Sequence, residues 1–527
     1  MQYAMTADAC DGGEAYNQFW NRCVGAGRAN EGLRANWQEH LELVVEHGGF
    51  QYLRFHGLFH DDMCVYSEDE DGNPTYNWQY VHDLFDRMLE KGIKPFVELG
   101  FCPREIATVE ATCFWWRGNG SPPEDDDKWA ALVDSFVRSC IERYGLQEVR
   151  TWYFEVWNEP NLDFFFTGTK SEYFKLYRVS AETIKSIDLQ LRIGGPATSN
   201  FVPDDRFAGE REDESKHLTW TREDINTFDW KAVWVEDFLT FCETHELPVD
   251  FISTHPYPTD FAIDPRTNEG GPRSRSVDST RQDLTWLRDL VDNSAYPDAE
   301  IHLTEWNSSP SARDSTHDYI QGATFIVKTN LESIGLVDSL AYWTFTDVFE
   351  EHRGGDTAFH GGFGLVTFQG IPKPAFHAYR MLNQLGDEVV SRDDGTFLTR
   401  DSGTGKLRGI CYHYPEEVQS AVPVSRPGRQ VAEETAVTGS PAELNINITG
   451  LEPQAPFVIE ILDRDHGSAI ELWLSAGAPP SPDRTFTADL KRQAWATGRT
   501  THRADAQGTL SLSLAIDPWS VVLVREL

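Results

Sequence analysis

WYFEVWNEPNL (152–162) and IHLTEWNSSP (301–310) are the two stretches of sequence that decide the fold. Each contains an apolar run of strand length that carries one glutamate at or just past its end, Glu159 in the first stretch and Glu305 in the second. An ionisable group at the end of a buried strand costs desolvation energy, and proteins accept that cost mostly at functional sites. The two stretches therefore predict strands whose carboxyl ends meet at one site.

Six further runs of strand length accompany these two between residues 15 and 385. The predicted strands are 22–27, 49–56, 94–100, 152–157, 191–195, 251–255, 301–306 and 339–346. Apolar residues at helical spacing fill the gaps, as at Trp129, Leu132, Val133 and Phe136. Such alternation predicts an α/β fold with a parallel sheet, and eight units favour a closed (β/α)8 TIM barrel over an open doubly wound sheet.

The sequence pattern changes from about residue 386. Residues 509–516 alternate with period two, and 457–462, 469–474 and 520–524 are further predicted strands. We therefore divide the chain into an N-terminal extension that pairs with the C-terminal region (1–14), a barrel (15–385) and a β-sandwich (386–527). Two polar segments, 203–230 and 422–441, are predicted loops.

In a TIM barrel the carboxyl ends of the strands form the active-site face. Counting strands places Glu159 after the fourth and Glu305 on the seventh, so both glutamates face one cavity. Two such carboxyl groups can cleave a glycosidic bond with retention, one as acid/base (Glu159) and one as nucleophile (Glu305). This chemistry needs no metal and no organic cofactor, because two carboxyl groups and water suffice.

The composition is strongly acidic. Asp and Glu number 84 against 46 Lys and Arg, of which only 12 are Lys, and the net charge is −38. Such a surface repels nucleic acid and anionic membranes, so neither is an expected partner. An acidic surface poor in lysine suits a halophilic protein, because concentrated salt screens the self-repulsion. The alternative is an acidic protein of ordinary salt tolerance.

The eight cysteines show no Cys-x-x-Cys spacing, which argues against a zinc or redox motif. The first residues, MQYAMTADAC, lack a basic region followed by an apolar core, so no signal peptide is expected. No apolar run reaches the roughly 18 residues of a membrane span. These features favour a cytoplasmic location.

Ordered motifs along the barrel resemble family 39 of the glycoside hydrolases, in clan A, and within it the bacterial β-xylosidases. The stretches that carry the resemblance are 19–41, YLRFHGLF (52–59), WYFEVWNEPNL (152–162), IHLTEWNSSP (301–310), YWTFTDVFEE (342–351), FHGGFGL (359–365) and KPAFHAYR (373–380). The resemblance implies exo-acting release of β-D-xylose from xylo-oligosaccharides. It also suggests a homo-oligomer.

The resemblance further implies roles for single residues. Asn158 binds the 2-hydroxyl of the sugar, Tyr257 donates to Glu305, and His255 lines the cavity. His56 and Trp343 frame the sugar that is released, and Glu350 binds its more distant hydroxyls. Which of Glu350 and its neighbour Glu351 faces the cavity stays open.

Two aromatic residues, Phe114 and Phe165, are candidates for the wall that contacts the leaving group, although they could equally pack beneath their loops. His56 could be a structural histidine of the barrel, and Trp343 could belong to the core. Glu98 and Glu155 could be ion-pair partners of Arg54 or Arg104.

Three alternative functions remain open. An α-L-iduronidase is the rival within the family, but it must bind a sugar carboxylate, which an acidic Glu350–Glu351 pair would repel. A β-glucosidase is the rival in the clan. A non-catalytic carbohydrate-binding protein would lack one of the two glutamates, and both are present.

Overall fold

The computed structural model describes residues 1–219, 225–263, 270–424 and 428–527. Its centre is a closed barrel in which all eight strands run parallel and the eighth pairs with the first. The strands are Cys23–Arg28, Tyr52–His56, Lys94–Leu99, Tyr153–Val156, Arg192–Ser199, Phe251–His255, Glu300–Trp306 and Ser339–Tyr342. The predicted TIM barrel is confirmed, and each predicted strand overlaps an observed one.

A helix of at least nine residues follows every strand. These helices are Ala35–Gly48, Gln79–Glu90, Asp126–Tyr144, Lys170–Ile187, Val235–Thr244, Ser279–Asp292, Ile320–Glu332 and Pro374–Leu382, and the short helix Leu146–Val149 follows the third. The helix Asp126–Tyr144 begins after Asp125 because the side chain of Asp125 caps it, accepting hydrogen bonds from the N–H groups of Asp127 and Lys128. None of the described helices has the length and apolar character that a membrane span requires.

The barrel interior is layered, because side chains on a strand alternate between its two faces. Toward the amino ends of the strands, an apolar plug that includes Tyr52, Phe96 and Tyr153 fills the barrel, with the rings of Phe96 and Tyr153 stacked 4.7 Å apart. Two residues further along the same three strands come Arg54, Glu98 and Glu155, all fully buried. The sequence period of two thus places an ionic layer directly above an apolar one.

Two packed sheets form the core of the C-terminal region, as the predicted β-sandwich requires. The larger sheet contains, in spatial order, Glu14–Ala15, Glu388–Asp393, Thr396–Arg400, Leu407–Tyr412, Val521–Glu526, Pro456–Leu462 and Gly498–Arg503. The smaller contains Gln2–Asp8, Ala442–Thr449 and Leu510–Ile516. Both ends of the chain therefore lie in the sandwich.

The short antiparallel pairs belong to the loops around the barrel. They are Tyr66–Glu68 with Pro74–Tyr76, Thr112–Cys113 with Gly118–Asn119, Phe201–Val202 with Lys231–Ala232, and Thr259–Ile263 with Gly270–Ser274. The predicted loop 203–230 holds only short 3-10 turns among its described residues, and its residues 220–224 lie outside them.

One prediction for the C-terminal region is wrong. The predicted strand 469–474 is a helix, Ile470–Ser475, and a second helix, Arg484–Trp495, follows where no helix was expected. Their aromatic residues explain the difference, because Trp473 packs on Phe359 and Trp495 on Phe376, which both belong to the barrel. These helices therefore bury their apolar faces against the barrel. Another helix, Gln430–Ala436, lies in the predicted loop 422–441, whose residues 425–427 lie outside the described ones.

The N-terminal strand is part of the sandwich core. Gln2–Asp8 pairs in parallel with Ala442–Thr449 over its whole length, and Met5 is 1% exposed beside Gly409. Truncating a buried methionine to alanine removes transfer energy and leaves a cavity.

We expect Met5→Ala to lower the free energy of unfolding by about 2–4 kcal/mol, measured as a shift of the urea midpoint. Thr6→Ala is the matched control, because Thr6 is the exposed next residue of the same strand and its truncation should change stability by less than about 0.5 kcal/mol. Equal effects of both variants would contradict the packing described for Met5.

Candidate active site

Glu159 and Glu305 lie at the carboxyl end of the barrel. Glu305 belongs to the seventh strand, and Glu159 lies in the turn after the fourth strand with a φ of 44°, its N–H donating to the carbonyl of Ala197 at 2.8 Å. The two residues are only 6% and 5% exposed. One carboxylate oxygen of each and a ring nitrogen of His255 all lie within 4.8 Å of one another. The fold thus brings the two predicted glutamates to one point.

Arg54 holds Glu305 from inside the barrel. Its guanidinium donates from Nη1 to Glu305 Oε1 at 2.6 Å and from Nε to Glu155 Oε2 at 2.9 Å, and Nη2 lies 3.0 Å from Glu98 Oε2. Nη2 also donates to Asn158 Oδ1 at 2.9 Å. One buried cation therefore joins residues of the second, third, fourth and seventh strands.

The other oxygen of Glu305 accepts from Tyr257. The phenol donates to Oε2 at 3.1 Å, as the resemblance implied. Burial raises the pKa of Glu305, but the charges of Arg54 and His56 act in the opposite direction. The carboxylate form of Glu305 is therefore supported on both oxygens.

His255 connects Glu159 to the ionic layer. Thr304 Oγ1 donates its one proton to Glu155 at 2.7 Å, so it accepts from His255 Nε2 at 2.9 Å. Burial, together with Arg54 and His56, lowers the pKa of His255 well below its usual value. The ring is therefore neutral with its proton on Nε2, and Nδ1 is an acceptor.

The tautomer of His255 determines the protonation state of Glu159. His255 Nδ1 lies 3.0 Å from Glu159 Oε1, and an acceptor at that distance requires a proton on the carboxyl group. Burial and the charge of Glu305 raise the pKa of Glu159 well above its usual value, which agrees. Two glutamates at one point therefore differ in state, Glu159 protonated and Glu305 ionised.

His56 supplies a second cation to the cavity. Burial alone would lower the pKa of His56, but the carboxylates of Glu98 and Glu351 raise this pKa to about 10. Nδ1 contacts Glu98 Oε2 at 2.6 Å, and Nε2 lies 3.4 Å from Glu305 and 3.6 Å from Glu351. Burial raises the pKa of Glu351 to about 7, with His56 opposing that rise.

The cavity above these groups has a volume of 720 Å³, which is typical of a small-molecule site. Seven of the ten predicted site residues line it: His56, Phe114, Glu159, Phe165, Tyr257, Glu305 and Trp343. Asn158 and His255 lie behind the cavity surface, where they contact Arg54 and Glu159 respectively. The exposed rings of Trp115 and Phe164 stand at its rim.

The placement of Glu350 must be corrected. Its carboxylate binds Arg34 at 2.7 and 2.8 Å and Arg28 at 3.0 Å, and Glu351 lines the cavity in its place. Two adjacent residues of a loop can point in opposite directions, and the two arginines hold Glu350 on the outer side. Of the two adjacent glutamates expected beside the sugar, only Glu351 therefore faces the cavity.

The roles of Arg54 and Thr304 in the site were not predicted from the sequence. Arg54 stands in the apolar run YLRFH, where a buried charge requires partners, and that signal pointed to Glu98 and Glu155 but not to Glu305. Thr304 gave no signal, because a threonine in a strand is ordinary.

The described residues contain one cluster with the spacing of a metal site, Glu159, His255 and Glu305. Within it His255 Nδ1 already accepts from Glu159, and Glu305 is bound by Arg54 and Tyr257. The three side chains of the cluster are therefore held together by hydrogen bonds and an ion pair.

A TIM barrel with two buried glutamates so close at its carboxyl end has the arrangement of a glycoside hydrolase. The family model described as glycosyl hydrolases family 39 matches residues 4–215 and 226–509. The chain belongs to this family, which confirms the resemblance seen in the sequence.

Relatives cover almost the whole chain. A beta-xylosidase of Geobacillus stearothermophilus is 35% identical over 98% of this chain and 94% of its own length. One of Caldicellulosiruptor saccharolyticus is 35% identical over 90% and 88%. A crystal structure described as a monomeric beta-xylosidase from Caulobacter crescentus CB15 is 30% identical, with a TM-score of 0.85 over 99% of both chains.

We expect Thr304→Val to lower the pKa of Glu159. Without its acceptor, His255 can carry the proton on Nδ1 and donate to an ionised Glu159, which favours the ionised form. If Glu159 must be protonated for activity, the basic limb of the kcat/KM profile then moves to lower pH. Thr254→Val is the control, since Thr254 donates only to the carbonyl of Thr198. An unchanged basic limb in Thr304→Val would contradict the assigned tautomer.

Proposed function

We propose that the protein is a retaining exo-glycosidase that releases β-D-xylose from the non-reducing end of xylo-oligosaccharides by double displacement. The observation that carries the proposal is the separation of Glu159 and Glu305, whose nearest carboxylate oxygens lie within 4.8 Å. Retaining enzymes hold their carboxyl groups about 5–5.5 Å apart, whereas inverting enzymes need about 6.5–9.5 Å to admit water between them. The relatives named beta-xylosidase support the choice of sugar.

The first step uses the two protonation states described above. Glu305 attacks the anomeric carbon and forms a covalent glycosyl-enzyme, while Glu159 gives its proton to the oxygen of the leaving group. In the second step Glu159 takes a proton from water, which attacks the same carbon and frees the sugar and Glu305. One carboxyl group therefore serves as acid and then as base.

The ionic layer explains how Glu159 changes role. Arg54 and His56 carry positive charge, and Glu98, Glu155 and Glu305 carry negative charge, so these five groups already have one excess negative charge before Glu351 is counted. An ionised Glu159 would add another. Formation of the ester at Glu305 removes one negative charge and lowers the pKa of Glu159. Ionisation then costs less at the step that needs a base.

Asn158 is placed to recognise the sugar beside the reacting carbon. Its Oδ1 accepts from Arg54, and its buried Nδ2 finds no hydrogen-bond partner among the described residues. An unused buried donor costs free energy unless a ligand accepts from it. We assign that acceptor to the 2-hydroxyl of the bound xylose.

The remaining contacts favour a neutral sugar. Trp343 offers an apolar face against His56, with ring centroids 4.8 Å apart, and Glu351 offers acceptors for hydroxyl groups. A uronic acid would meet the carboxyl groups of Glu351 and Glu305, although Arg353 at the cavity could pair with it. The human α-L-iduronidase is 28% identical over 32% of this chain, far less than the 98% and 90% over which the two relatives named beta-xylosidase align.

A panel of aryl glycosides tests the proposal: β-xyloside, β-glucoside, α-arabinoside and α-iduronide. We expect the β-xyloside to be the best substrate, with β-xylose as the first product by NMR. Glu305→Ala should lower kcat by roughly 10³-fold or more. Glu300→Ala is its control, because Glu300 lies at the opposite end of the same strand.

Rescue by azide distinguishes the acid/base role of Glu159 from the nucleophile role of Glu305. Added to Glu159→Ala, it can attack the glycosyl-enzyme and yield a β-xylosyl azide, whereas with Glu305→Ala it replaces the nucleophile and yields the α-azide. An α-configured first product from the wild type would reject double displacement.

We also propose that the acidic surface adapts the protein to concentrated salt. The net charge of −38 and the low lysine content support this, because screening shortens the range of self-repulsion from about 10 Å at 0.1 M to about 3 Å at 1 M salt. We expect the melting temperature to be higher in about 1 M KCl than in 0.1 M KCl. A maximum without added salt would contradict the adaptation.

A cytoplasmic location is part of the same proposal. All eight cysteines are free thiols, six of them buried, which suits a reducing compartment. For the oligomeric state, the sequence resemblance suggests a homo-oligomer, whereas the Caulobacter crescentus relative is described as monomeric. Sedimentation velocity distinguishes these two states.

A further inference from the structure

A second pocket of 200 Å³, called here the side pocket, adjoins the active-site cavity. Three residues line both spaces, Leu162, Ser199 and Asn200. The outer wall of the side pocket comes from the segment 201–217 that follows the fifth strand, through Phe207, Glu212 and Glu214 among others. The side pocket therefore borders the main cavity at these three residues.

The side pocket lies on the side of Glu159. Asn161 and Leu162 lie two and three residues after Glu159 in the chain, and Ser199 lines the main cavity together with Glu159. Glu305 and Trp343, by contrast, line only the main cavity. Because the acid gives its proton to the leaving group, the side pocket lies where the leaving group must extend.

Buried ion pairs hold the wall of the side pocket in place. Arg206, 2% exposed, binds Asp204 at 2.6 Å and Asp260 at 3.0 Å, and Asp260 lies after the sixth strand. On the inner side Asn161 Oδ1 accepts from the N–H of Ser199 at 2.8 Å. The pocket is therefore enclosed by paired groups on segments that follow the fourth, fifth and sixth strands.

The lining suits a neutral sugar ring. Leu162 and Phe207 offer apolar contact, and the carboxyl groups of Glu212 and Glu214 offer acceptors for hydroxyl groups. An anionic ligand would meet these two carboxyl groups and be repelled, because the basic side chains of the lining, Arg206 and His217, are already paired with Asp204, Asp260 and Glu212. The combination of apolar faces and hydroxyl acceptors is the chemistry of an uncharged saccharide.

We propose that the side pocket binds the third xylose of the substrate, counted from the non-reducing end, and so sets a preference for xylotriose over xylobiose. This inference rests on the proposed β-xylosidase function. The first xylose occupies the space beside Glu305, and the second lies in the main cavity beyond Glu159. The third then reaches the side pocket past Ser199 and Asn200.

The test compares kcat/KM for xylotriose, xylobiose and an aryl β-xyloside, which cannot reach the side pocket. For the wild type we expect xylotriose to exceed xylobiose by roughly fivefold or more, the effect of one net hydrogen bond. Glu214→Trp fills the rim and should bring that ratio close to one, with kcat/KM on the aryl xyloside unchanged within about twofold. Glu212→Ala removes acceptors instead of adding bulk and should also lower the ratio.

Lys216→Trp is the matched control. Lys216 lies on the same short 3-10 turn as Glu214 and is exposed, but it does not line the side pocket, so the wild-type ratio should persist. A wild-type ratio of one would overturn the inference, as would a wild-type ratio retained in both Glu214→Trp and Glu212→Ala. Failure of the wild type to cleave the aryl β-xyloside would instead reject the β-xylosidase function, and the inference with it.

Discussion

The contacts of Arg54 with Glu98, Glu155 and Glu305 are the interaction on which the site depends. A guanidinium taken out of water loses several kcal/mol of solvation, and only well-placed anions and acceptors repay that loss. Three carboxylates from the third, fourth and seventh strands and the amide oxygen of Asn158, just after the fourth strand, do so here. The charge of the layer and the position of Glu305 are thereby set together.

The difference between the two site glutamates follows from their neighbours. Glu305 touches a cation and a phenol donor, whereas Glu159 touches a neutral imidazole that accepts. The tautomer of that imidazole depends in turn on Thr304 and Glu155, one layer further inside. A chain of hydrogen bonds from the barrel interior therefore decides which carboxyl group keeps its proton, and so which one can act as an acid.

Loops around the mouth adapt this site to a ligand, and they were the least predictable part. The segment after the eighth strand turns Glu351 inward and Glu350 toward Arg28 and Arg34, a choice that the sequence EE could not indicate.

The helices Ile470–Ser475 and Arg484–Trp495 were missed for a related reason. Their apolar stripes are short, and the surface that they cover belongs to a barrel distant in sequence.

The sequence by itself determined the barrel, its strand order and the meeting of Glu159 with Glu305. Alternating apolar strands and amphipathic helices have one closed solution at this length, and strand ends carry their residues to a common face. Only the tertiary structure decided the contact between Arg54 and Glu305, the proton on His255 Nε2 and the side pocket after the fifth strand. These features depend on distances between segments remote in sequence, which local patterns do not encode.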